Sequence, residues 1–84
     1  MNGYEKVVRA AAHYGWNVEP IQSYQGKAVG KDIELQNRNR RFDVLCKSNG
    51  AIIAVRGHKN ILGKDKAQQI INYMAKYPAK EAAA

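Results

Sequence analysis

Between residues 3 and 14, apolar side chains recur at three- and four-residue spacing: Tyr4, Val7, Val8, Ala11 and Ala12. That period predicts an amphipathic helix from about Gly3 to Tyr14, with Asn2 as its N-cap and Gly15 as its stop. The period then changes to two. In "WNVEP", Trp16 and Val18 alternate with Asn17 and Glu19, which predicts a strand that Pro20 ends or holds at a sheet edge. "SYQGKAVGK", residues 23–31, has two glycines and no period and is predicted as a loop. "DIELQ" alternates again and "NRN" is a turn. "RRFDVLCK" puts Phe42, Val44 and Cys46 on one face and Asp43, Leu45 and Lys47 on the other. After the turn "SNG", the run "AIIAV" is apolar on both sides, as in a central strand. A last helix begins near Gly63, with Asp65 in its first turn and a stripe of Ala67, Ile70, Ile71 and Met74. Pro78 ends it, and residues 79–84, "AKEAAA", read as a frayed tail.

The order α-β-β-β-(β)-α predicts one small α+β domain over residues 1–84. Its sheet has three or four strands, mixed or antiparallel, with two helices. Eighty-four residues bury only a thin core, and a homodimer is one way to add buried surface. The single cysteine, Cys46, falls on the apolar strand face and reads as a buried free thiol. With no CxxC and no Cys/His cluster, structural zinc is excluded. The start of the chain lacks a basic-then-apolar leader, and no apolar run approaches the roughly 20 residues of a membrane span. The expectation is a soluble cytoplasmic protein with no membrane partner.

Charge narrows the function. The chain carries +7, and +6 of it lies between residues 38 and 66. Arg38, Arg40, Arg41, Lys47, Arg56, Lys59, Lys64 and Lys66 stand there against Asp43 and Asp65. So concentrated a field suits a polyanion, and nucleic acid is the first candidate. His58 and Lys59 at a strand end are open to reading as phosphate contacts or as solvated residues. Lys64 and Lys66 at the opening of the last helix suit a backbone phosphate. The GK[ST] of a Walker loop is absent, which sets a nucleotide pocket aside. His13 has no nucleophile or acid at a telling spacing.

A helix, a hairpin with Asp43 in "RRFDVL", an apolar strand ending in charge, and a helix with Gln69 and Tyr73 in "QIINY" together resemble a known family. They look like the minimal core of the PD-(D/E)XK nucleases, a restriction-endonuclease-like fold that includes Holliday-junction resolvases. The resemblance spans residues 5 to about 73. It implies a site drawn from Glu5, Asp43, Arg56, His58, Gln69 and Tyr73, with magnesium as cofactor. Such chemistry needs two or more carboxylates around the metal and a nearby lysine. Here the sequence departs from the family, because "AVRGHK" puts Arg56 and His58, or Ala54 and Arg56, where the acid and lysine belong. Alternation sends Ala54, Arg56 and His58 to one face, and neither register supplies a second carboxylate. Asp43 and Glu5 are the sole metal-ligand candidates, so no metal and no other cofactor is expected. Arg56 paired with Asp43 would supply the charge a metal otherwise brings. A designed substitution of Ala54 or Arg56 would leave the same pattern.

Plainer roles are open beside these. Asp43 reads equally as a salt-bridged strand residue, Glu5 as a complement to its helix dipole, and Tyr73 as packing at the core edge. The reading that follows is a basic nucleic-acid-binding domain on a nuclease-like scaffold, catalytically inactive, with double-stranded or branched DNA as partner. The alternatives are an active metal-dependent endonuclease or junction resolvase, a double-stranded-RNA-binding-like domain, or a small interaction or inhibitor protein.

Overall fold

The computed structural model describes residues 2–21, 31–58, 61 and 64–79. The order is α1 (Gly3–Tyr14), β1 (Asn17–Pro20), β2 (Ile33–Asn37), β3 (Arg40–Cys46), β4 (Ile52–Arg56) and α2 (Lys66–Lys76). The four strands form an antiparallel meander in chain order, β1-β2-β3-β4. This is the predicted α+β class with its sheet wholly antiparallel.

The start of α1 is held from two sides. Asn2 Oδ1 accepts from the Glu5 N–H at 2.8 Å, and Asn2 Nδ2 donates to the Asn49 carbonyl at 3.0 Å. The Tyr4 N–H donates to the Gly50 carbonyl at 2.9 Å. Gly50 is left-handed, at φ 89°, and a Cβ there would overlap the Asn2 amide, so only glycine fits between turn and cap. At the other end Gly15 takes the left-handed C-cap that the sequence predicts, at φ 79°.

Both helices pack on the sheet face that carries Ile33, Leu35, Phe42, Val44 and Cys46. With Val7, Ala11, Trp16, Ile61, Ile70 and Met74 these side chains form the buried core. No described element covers the opposite sheet face. That corrects the central-strand reading of "AIIAV", since β4 is an edge strand whose Ile53 is 52% exposed. Its apolarity on both sides has no second layer to meet. A register shift at Leu45/Cys46 lets Ile52 and Val55 both face the core, with Ile53 and Ala54 between them.

Helix α2 begins later than its periodicity predicts. Asp65 is the N-cap in a left-handed conformation, φ 56°, with no capping bond from its side chain, so it lies outside the first turn. The predicted start at Gly63 lies outside the described residues, as do most of the predicted loop (23–30), Lys59 and the tail from residue 80. Ala79, assigned by sequence to the frayed tail, is held: its N–H donates to the Tyr14 carbonyl at 2.8 Å.

Cys46 is the predicted buried thiol. Burial pushes its pKa from 9.0 up to about 11, with the Asp32 carboxylate adding to the rise and Lys31 opposing it. Between these values the folded chain keeps a proton that the unfolded chain has lost. The contribution is therefore complete below pH 9 and disappears as pH rises through about 11. In urea titrations across this window, the stability difference between the parent chain and Cys46→Ala should shrink by up to roughly 1.4 kcal/mol per pH unit. A constant difference would refute the account.

Candidate nucleic-acid interface

Residues of the resembled catalytic site divide between the two faces of the sheet. On the open face, β3 and β4 pair Asp43 with Arg56, and Arg56 Nη2 lies 3.6 Å from Asp43 Oδ2. The side chains are 61% and 29% exposed, so this is a screened, single-contact ion pair worth at most about 1 kcal/mol. Glu34 stands across from Asp43 on β2, and Glu19 across from Glu34 on β1. A row of Glu19, Glu34, Asp43 and Arg56 thus crosses all four strands. Sequence reading missed Glu34, although a two-residue turn joining Asn37 to Arg40 sets that register.

His58 leaves this face. Gly57 is left-handed, φ 86°, and breaks the strand alternation that was expected to keep His58 beside Arg56. The imidazole turns to the helix side and meets Tyr73 edge-on at 4.3 Å and Phe42 at 5.7 Å. Gln69 is one turn before Tyr73, and its Nε2 donates to the Lys64 carbonyl at 2.8 Å. Glu5 is on α1, on the core side of the sheet. Its carboxylate accepts from the Asn2 side-chain Nδ2 at 3.1 Å.

Neither the acids implied by the resemblance, Asp43 and Glu5, nor the neighbouring Glu34 and Glu19 fit a magnesium site. Glu34 accepts from Gln36, Glu19 accepts from Asn17 at 3.1 Å, and Asp43 faces Arg56. Glu5 lies across the sheet. Among the described residues no group of three or more His, Cys, Asp or Glu is placed to hold a metal ion.

The basic residues are similarly dispersed. Lys47, beside the β3–β4 turn, and Lys64 and Lys66, beside Gly3 and Ile52, lie at the α1 N-terminal end of the molecule. Arg41 stands on the open face opposite Gln36, in line with Asp43. Arg38 and Arg40 belong to the opposite end, where the β2–β3 turn meets the end of α2.

There the chain builds a cluster of cations and rings. The Arg40 guanidinium carbon sits 3.7 Å from the centre of the Tyr77 ring, and Arg40 Nη1 donates to the Tyr73 hydroxyl at 3.3 Å. Lys76 Nζ lies 5.5 Å from the same Tyr77 centre. Tyr73 meets Tyr77 at 5.2 Å, Phe42 at 5.6 Å and Trp16 at 5.8 Å. Tyr77 is fixed through its backbone: its carbonyl accepts from Trp16 Nε1 at 2.9 Å and from Asn37 Nδ2 at 2.7 Å. Asn37 Oδ1 is buried there without a hydrogen-bond partner.

Two grooves open on either side of Tyr77. One, of about 520 Å³, is lined by Asn37, Arg38, Asn39, Arg40, Tyr77 and Pro78. The other, of about 460 Å³, runs past His58, Gln69, Tyr73 and Lys76. Among the described residues, no carboxylate lines either groove. Sequence reading named Arg38, Arg40, His58 and Tyr73 but missed Asn37, Lys76 and Tyr77. The available signal was the spacing of Tyr73, Lys76 and Tyr77 on one helical face.

No helix among the described residues is long and apolar enough to cross a membrane. Comparison with protein-family models, curated proteins and solved structures finds no match for this chain.

Proposed function

We propose that this chain is a nucleic-acid-binding domain, on a scaffold that resembles the PD-(D/E)XK nuclease core, that holds the phosphate backbone without cutting it. One observation carries the reading: Arg40 and Lys76 converge on the Tyr77 ring, beside Arg38, in grooves lined by no acid among the described residues. The two cations are no farther apart than the sum of their distances to that ring, which is comparable to a Debye length of roughly 8–10 Å, so they repel. A polyanion relieves that repulsion, and rings interleaved with cations suit nucleic acid better than an acidic protein surface. Duplex or branched DNA is the expected partner, with Arg41 and Arg56 on the neighbouring sheet face as secondary contacts.

The lack of cutting rests on the Arg56 guanidinium lying beside Asp43 and on the absence, among the described residues, of three acids or other ligands grouped to hold a metal ion. A second reading, an active nuclease, is favoured by Glu34 standing across from Asp43. It would require Arg56 to withdraw and Glu34 to leave Gln36.

The test is to titrate the full chain with blunt duplex DNA, branched DNA and duplex RNA over a salt series, with manganese or magnesium in parallel incubations. Binding should weaken steeply with salt, at a log–log slope of roughly −0.9 per phosphate neutralised on B-DNA. Branched DNA should remain intact. Failure to bind any of the three at low salt would overturn the binding reading; metal-dependent cleavage would replace it with the nuclease.

A further inference from the structure

We infer that the groove beside Tyr77 is a stacking site for one unpaired nucleobase, so that the preferred ligand is DNA with a single-stranded end or branch. This rests on the nucleic-acid reading and narrows it. Tyr77 lies beyond the last turn of α2, where a chain end ordinarily frays. Instead, Trp16 Nε1 and Asn37 Nδ2 both donate to its carbonyl, at 2.9 and 2.7 Å, and Ala79 is tied to Tyr14 at 2.8 Å. Two side chains from separate elements converge on one backbone oxygen. They set the ring in place before any ligand arrives, which removes an ordering cost from binding.

On that ring lies the Arg40 guanidinium, 3.7 Å from its centre, and Arg40 is exposed. A guanidinium held over an aromatic ring offers the next layer of a stack, and a nucleobase is the planar ligand that continues it. The rest of the groove matches a nucleotide. Asn37 and Asn39 carry amides able to meet a base edge, Arg38 suits the adjoining phosphate, and about 520 Å³ is room for a nucleoside. A paired base inside a duplex offers no free face, so the site selects unpaired ones.

The experiment compares a blunt duplex with the same duplex bearing a five-nucleotide overhang that contains 2-aminopurine, using the unaltered chain. The overhang should tighten binding at least about fivefold, the lower end for one stacked base. The 2-aminopurine fluorescence should fall on binding. Tyr77→Leu should abolish the overhang preference. The backbone bonds that hold residue 77 do not use its ring, and a circular dichroism spectrum checks that the variant folds. Equal, salt-sensitive affinity for both duplexes with unchanged fluorescence would overturn the stacking site and leave the binding reading standing. Failure of both duplexes to bind at low salt would overturn both.

Discussion

Trp16→Ala is expected to destabilise the fold by about 3–5 kcal/mol, the usual cost of truncating a large buried aromatic. Trp16 is 3% exposed and joins parts of the chain that are distant in sequence. Its ring meets Phe42 on β3 and Tyr73 on α2, each at 5.8 Å, and its Nε1–H holds the Tyr77 carbonyl. Truncation opens a cavity in a small core and leaves that carbonyl with Asn37 as its remaining side-chain donor. Since domains are typically stable by about 5–15 kcal/mol, and small ones fall toward the lower figure, much of the population should unfold. Trp16→Phe separates the two effects. It retains an aromatic ring and loses the N–H donor, at an expected cost of about 1–2 kcal/mol. Urea titration followed by circular dichroism measures both; a loss below about 1.5 kcal/mol for Trp16→Ala would mean that the core closes without this ring.

Much of this architecture was legible because its causes are local. Asn2 and Gly15 bound α1 by cap chemistry that any reader of the sequence can apply, and the period of two through "RRFDVLCK" puts Phe42, Val44 and Cys46 inside. The misreadings arise where long-range geometry overrides a local period. "AIIAV" looks like a central strand, but the two described helices pack on one face of the sheet and Ile53 meets solvent on the other. His58 appears to share a face with Arg56 until the positive φ of Gly57 turns the chain. The eight cations of residues 38–66 form one block in sequence, yet the fold sends Arg38 and Arg40 to one end of the molecule, Lys47, Lys64 and Lys66 to the other, and Arg41 and Arg56 to the open sheet face. Tyr77 was passed over because Pro78 marks the end of a helix. That its carbonyl is pinned by Trp16 and Asn37, 61 and 40 residues away, has no local signature.

That division of charge leads to the largest functional effect expected. Replacing Arg38, Arg40 and Lys76 together by alanine should weaken duplex binding roughly 100- to 1,000-fold at about 0.1 M salt. Each lost phosphate contact forgoes release of about 0.9 counterion, close to one decade of affinity at that salt, and the log–log slope should become shallower by about 2.7. The control is Lys47, Lys64 and Lys66 replaced together, which removes the same three charges from the other end of the fold. If binding merely followed the net charge of +7, the two triple variants would lose affinity equally. If it depends on the cluster at Tyr77, the control should lose no more than about tenfold, through the long-range field alone. Arg40 rests on Tyr77, so both variants need a urea midpoint beside the binding curve. Matching losses in two folded variants would remove the β2–β3 turn as the binding surface and return the basic charge to a diffuse role.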